Sequence, residues 1–230
     1  MYNDNISVIY EDNHLIAINK PSGWLVQGDQ SGDATAADWV KAYIKMRYNK
    51  PGDVFLGTIH RLDRPVSGVT LYARTSKGLE RMNKQFQLRQ VQKTYWAVVN
   101  ERPKEFKATL IHHLTKNPNT NTAKAYTRPK PKSKKAELSY RLLAEVGEHA
   151  LLEVNPVTGR PHQIRVQLAK AGYPIRGDRK YGSQYKNNDR SVHLHARSLA
   201  FTHPVTKKEI RIEAAAPIDQ VWDLFEGIEF

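Results

Sequence analysis

The sequence predicts an α+β fold in which strands outnumber helices, and three observations carry that prediction. Apolar and polar residues alternate with period two in many short segments along the chain. Apolar stripes at helical spacing are few and short. Gly and Pro punctuate these segments with no fixed period, which excludes a solenoid or a propeller.

At 230 residues the chain can bury a substantial core, and a single catalytic-size domain over 1–230 is expected. Hydrophobic residues make up 40% and charged residues 26%, the balance of a globular protein rather than a disordered one. The 36 Lys and Arg outnumber the 23 Asp and Glu, leaving +13. Such an excess points to a polyanionic partner, and the supply of Trp, Tyr and Arg favours nucleic acid over a membrane surface. Cysteine is absent, which removes disulfides, thiol nucleophiles and Cys-based metal sites together. Residues 1–20 carry no signal-peptide pattern, and no apolar run approaches a membrane span. A cytoplasmic monomer is expected.

Ile6, Val8 and Tyr10 alternate, Asp12-Asn13 turns, and Leu15 to Ile18 resumes, so a hairpin feeds the loop Lys20-Pro21-Ser22-Gly23. Thr35 and Asp38 form a capping-box pattern before the stripe Ala36, Trp39, Tyr43, Met46, and that helix should end before Pro51. A loop holding His60 to Pro65 leads into a strand from Val69 to Ala73. Ser76 reads as the N-cap of a helix with the stripe Leu79, Met82, Phe86, ending near Arg89. From Val91 to Val99 the alternation is clean and predicts a half-buried strand. Residues 116–135 contain no Leu, Ile, Val, Phe or acid but many Lys, and are expected to form a mobile basic loop. Strands follow near Leu138–Leu143 and Ala150–Val154. Thr158 to Pro161 then opens a helix with Pro in its first turn, the stripe Ile164, Leu168, Ala171, and Gly172 as its stop. The remainder is strand-rich, with Pro174, Pro204 and Pro217 as punctuation.

Two clusters carry chemistry. His60-Arg61-Leu62-Asp63 packs an imidazole, a guanidinium and a carboxylate into one loop, where a carboxylate held ionised in a cleft can act as nucleophile or base. The competing reading is a solvated ion pair of Asp63 with Arg61 or Arg64. Gly159-Arg160-Pro161-His162-Gln163-Ile164-Arg165 crowds polar and basic side chains at a helix start, suited to phosphate, with Arg165 able to turn inward beside Ile164 and Leu168. The competing reading is an exposed basic helix end. Tyr95 on its strand is either a core residue or a base-stacking platform. His193 and His195 face one way, His112 and His113 opposite ways, and no third ligand accompanies them, so no metal site is expected.

Taken in order, the blocks Leu15 to Gly23, His60 to Gly68, Lys93-Thr-Tyr-Trp-Ala97, Thr158 to Arg165, Gly177-Asp-Arg-Lys-Tyr-Gly182, Leu194-His-Ala196 and Phe201-Thr-His-Pro204 closely resemble the RluA-type family of RNA pseudouridine synthases. The resemblance covers nearly the whole chain. It implies a mixed, largely antiparallel central sheet with flanking helices and a central catalytic cleft. By the same positions Asp63 resembles the family's catalytic aspartate, Tyr95 the tyrosine stacked on the target uracil, and Arg165 the arginine paired with that aspartate. Arg61 resembles the residue that fills the space of the flipped base, and His60, Arg160, His162 and Gln163 are expected to bind substrate. Val66 stands where Thr is usual, and Leu138-Ser139 replaces a commoner Thr pattern before Tyr140. No S4-like RNA-binding domain is expected ahead of residue 1.

The activity so implied breaks N1–C1′ of a uridine, turns the uracil and joins C5 to C1′, with no redox change and no expected cofactor or metal. The base must first leave its stack, at a few kcal/mol. Asp63 would attack C1′ or remove the C2′ proton, and a guanidinium about 4 Å away would offset much of its desolvation. Rival classes are a non-catalytic basic RNA-binding protein and a ribonuclease using His60 or His162. The partner expected under the first two readings is RNA, ribosomal or transfer.

Overall fold

The computed structural model describes residues 6–29 and 32–228, which fall into two compact units. One holds the chain up to Gln92 with Ala196–Ala216, the other Lys93–His195 with the chain from Pro217. Strands outnumber helices, and the fold is α+β as expected.

In the first unit β1 (Ser7–Glu11) and β2 (Leu15–Lys20) form the predicted hairpin. Asp12 closes its turn by accepting the backbone N–H groups of His14 and Leu15, both at 2.7 Å, the local bonding that suits Asp to turns. β2 pairs antiparallel with β4 (Ser67–Ala73), and the order runs β1-β2-β4-β10, with β10 spanning Leu194–Thr202. β11 (Glu209–Glu213) pairs with β10, and β3 (Gly57–Thr58) with β4. All of β4 is buried, and Val69, Leu71 and Ala73 join Leu15, Ala17, Met82, Leu199 and Phe201 in one core. Gly68 opens that strand with φ +113, and a Cβ there would collide with the Ala196 carbonyl, so the close approach of the two backbones requires glycine.

The helix α1 (Ala36–Arg47) has the predicted capping box: the Thr35 hydroxyl accepts the Asp38 N–H, and the Asp38 carboxylate accepts the Thr35 N–H at 3.1 Å. Its inward row differs from the predicted stripe. Ala36, Val40 and Ile44 are buried, Met46 is 63% exposed, and Trp39 and Tyr43 stack on each other at 5.6 Å. The aliphatic row turns inward because Tyr43 keeps a polar tip, donating to Glu11. The cap of α2 (Ser76–Gln87) is Thr75 rather than Ser76, its hydroxyl accepting the Gly78 N–H at 3.1 Å. Leu79, Met82 and Phe86 face the core as predicted.

The second unit is an antiparallel sheet in the order β5-β9-β8-β6-β7, formed by Gln92–Val99, His149–Pro156, Lys134–Val146, Lys107–Asn117 and Thr122–Tyr126. On one face α3 (Gln163–Lys170) packs through Val166 on Leu114, Ala123, Ala125 and Ala136. Tyr95 pairs with Val154, which pairs with Tyr140, so by period two Tyr95 stands on the face that α3 covers.

Three expectations need correction here. β5 is half-buried only at its start, since Ala97, Val98 and Val99 are all buried. Within 116–135 the expected loop contains β7, whose inward positions are the small residues Ala123 and Ala125. A turn follows, where the Ser133 hydroxyl donates to the Lys130 carbonyl at 2.6 Å and accepts its N–H at 2.9 Å. The helix expected from Thr158 begins at Gln163: His162 is its N-cap at φ +54, a left-handed residue that separates Pro161 from the helix. Its end is as predicted, with Gly172 at φ +95 and the Tyr173 N–H reaching the Leu168 carbonyl at 2.9 Å.

Candidate active site

In the first unit the His60–Asp63 loop is locked from several sides. The Gly23 N–H donates to the Arg64 carbonyl, and Arg64 Nε donates to the Gly23 carbonyl, both at 2.8 Å. The Val66 N–H closes a turn on the Asp63 carbonyl at 3.0 Å. His60 lies against Phe86, ring centroids 5.3 Å apart, and its Nε2 accepts the Leu71 N–H at 3.0 Å. That bond makes Nε2 the unprotonated nitrogen and anchors the loop to β4. Asp63 is half-buried and Arg61 is exposed. Arg64 also forms an exposed ion pair with Asp33, at 2.7 Å.

Beneath this loop lies Lys20, fully buried at the end of β2. Its ammonium donates to the carbonyls of Pro21, Trp24 and Arg64 at 3.0, 2.9 and 3.4 Å. Burial lowers its pKa to about 7, while the Asp63 carboxylate works to raise it and the Arg64 guanidinium to lower it. The loop carrying the candidate carboxylate is therefore folded around an ammonium group.

In the second unit Arg165 is buried on α3 and forms a two-point salt bridge with Asp178, Nε to Oδ2 at 2.7 Å and Nη2 to Oδ1 at 2.8 Å. Its guanidinium carbon sits 5.1 Å from the centroid of the Tyr181 ring. The Tyr181 hydroxyl accepts the Ala123 N–H at 2.8 Å and lies 2.6 Å from His162 Nδ1. Gln163 is buried, and its amide is used within the protein: Oε1 accepts from the Thr158 hydroxyl and the Arg160 N–H, and Nε2 donates to the Glu137 carbonyl. Arg160 donates from Nε to the Lys135 carbonyl at 3.1 Å. Tyr95, Arg160, His162, Gln163 and Arg165 thus belong to one unit, and His60, Arg61 and Asp63 to the other.

Lys20, Asp178 and Tyr181 were assigned no role from sequence, although each lies within a conspicuous block. Asp178 and Tyr181 fall in Gly177 to Gly182, where an acid and an aromatic frame two cations. The signal for Lys20 was a lysine closing a strand whose first four residues are apolar.

The first unit supplies an acid on a locked loop, and the second a buried guanidinium held by a carboxylate on the helix side of the sheet face that bears Tyr95. A family model described as RNA pseudouridylate synthase matches residues 14–170, and the chain belongs to that family. It is 33% identical over 213 residues to the ribosomal large subunit pseudouridine synthase C of Vibrio vulnificus, covering 90% of this chain and 64% of that protein. It is 32% identical over 257 residues to the tRNA pseudouridine synthase C of Pectobacterium carotovorum subsp. carotovorum, covering 98% of this chain and 66% of that one. The chain therefore spans just under two thirds of the length of these relatives. Among solved structures, human RNA Pseudouridylate Synthase Domain Containing 4 superposes with a TM-score of 0.76 at 25% identity, covering 92% of this chain and 88% of that one. Among the described residues no helix is long and apolar enough to cross a membrane.

Proposed function

We propose that this protein is an RNA pseudouridine synthase that isomerises uridines in structured RNA, ribosomal or transfer. The observation that carries the reading is the buried Arg165–Asp178 pair on the sheet face that also bears Tyr95. A buried guanidinium held in a fixed plane supplies an oriented positive charge without reorganisation during reaction. Asp63 is the carboxylate that acts on the ribose, Tyr95 the aromatic face for the flipped uracil, and Arg165 the guanidinium that the family pattern pairs with the carboxylate. As the glycosidic bond breaks, the uracil keeps its electron pair; after it turns, C5 bonds to C1′ and loses its proton, a removal in which Tyr95 assists. The relatives' names support ribosomal and transfer RNA as substrates, and a net charge of +13 supports RNA as the partner. We place the activity in the cytoplasm, carried by a monomer.

A ribonuclease would use the other ring nitrogen of His60 or His162, since His60 Nε2 accepts the Leu71 N–H and His162 Nδ1 lies 2.6 Å from the Tyr181 hydroxyl. The test is product analysis on uridine-labelled RNA. Pseudouridine in intact RNA is the expected result; unchanged RNA or fragments would overturn the proposal.

A further inference from the structure

The α3-covered face of the second unit leaves an opposite face whose end strand has an unusual composition. β7 ends the strand order, and its outward positions are Thr122, Lys124 and Tyr126. The register sets Tyr126 beside His113 and His113 beside Lys135, giving one row across three strands, with Thr115 beside Lys124 in the next. The Lys124 ammonium lies 5.6 Å from the Tyr126 ring centroid. The turn after β7 adds Arg128, Lys130 and Lys132, and residues 116–135 contain no acid.

We propose that this edge is a second RNA-binding surface, separate from the candidate catalytic residues. A single strand of phosphates runs along β7 and the turn that follows it, and Tyr126 offers a stacking face for a base. The inference rests on the proposed RNA substrate. Its physical basis is charge complementarity: one-signed cations on a fixed strand release counterions from a phosphate chain, and an aromatic among them accepts any base. Lys135 contributes less than its neighbours, since it is held by Glu137 at 2.8 Å. Lysines on an edge strand also discourage pairing with other sheets, but that role needs neither the cations of the following turn nor the tyrosine.

The test compares three proteins on one RNA over a salt series. Changing Lys124, Arg128, Lys130 and Lys132 to Gln should weaken binding and reduce the log–log salt slope by about 3, at roughly 0.7–0.9 per phosphate contact. Changing Lys41, Lys45, Lys50 and Lys77 to Gln, all exposed in the first unit, should leave the slope near wild type. An equal fall in both variants, or no fall in the first, overturns the surface. Tyr126→Ala should weaken binding about tenfold while Tyr126→Phe stays near wild type; equal affinity in both overturns the stacking role. Pseudouridine measured in the same RNA with wild-type protein separates the two ideas. Product with unchanged slopes removes only the surface, and a lost slope without product supports the surface while removing the isomerase.

Discussion

Arg165 meets Asp178 fork to fork, two hydrogen bonds of 2.7 and 2.8 Å, with 6% and 1% of the two side chains exposed. Neither charge has much water, so each depends on the other. Lys could replace the charge but not the planar fork, and Tyr181 adds a ring against the guanidinium.

Asp178→Asn should therefore cost about 3–5 kcal/mol of stability, because it leaves a buried guanidinium without its counter-ion. Urea unfolding checks this. Arg165→Lys should lose much of the pseudouridine activity, read as a single-turnover rate; a rate near wild type would show that the fork has no part in the reaction.

Asp63→Asn should abolish pseudouridine formation while the circular dichroism spectrum and RNA affinity stay unchanged. The substitution preserves shape and removes only the anion. Measurable turnover by the purified variant would take Asp63 out of the chemistry.

Lys20 gives stability a pH dependence with a definite sign. Its folded pKa of about 7 lies below the ordinary value of 10.5, so between the two the unfolded chain binds more protons, and stability contributed by this group rises with pH. Below pH 7 both states are protonated and the group adds no slope. Wild type should thus gain stability relative to Lys20→Met between about pH 7 and pH 10, measured by urea unfolding across that range. A constant difference would show that the Lys20 proton is not released.

Gly68→Ala should destabilise the first unit by roughly 3 kcal/mol or more, combining a left-handed backbone with a collision at the Ala196 carbonyl. A thermal midpoint within a degree or two of wild type would contradict the close approach.

What could be read from sequence was what is settled locally. The Thr35–Asp38 box, the Gly172 stop and the β1–β2 turn all depend on residues within a few positions of each other. β7 was hidden because its inward residues are alanines, so a search for Leu, Ile, Val and Phe saw none, although Ala123-Lys124-Ala125 does alternate. The start of α3 was misplaced because a single left-handed residue, His162, is invisible in a pattern of side chains. Asp178 lies 13 positions from Arg165 and on no shared element, so only the tertiary fold could join them. Lys20 was opaque for another reason: its partners are carbonyls, which every residue has.

The reciprocal bonds between Gly23 and Arg64 join two segments some forty residues apart in sequence, and the same stretch is tied at Val66 and at Leu71. Amide protons held this way are released together rather than one at a time. In deuterated water Gly23, Val66 and Leu71 should exchange at rates reporting one opening free energy, so that denaturant shifts all three alike. The lifetime of that shared opening then sets how long Asp63 remains displaced whenever the loop breathes.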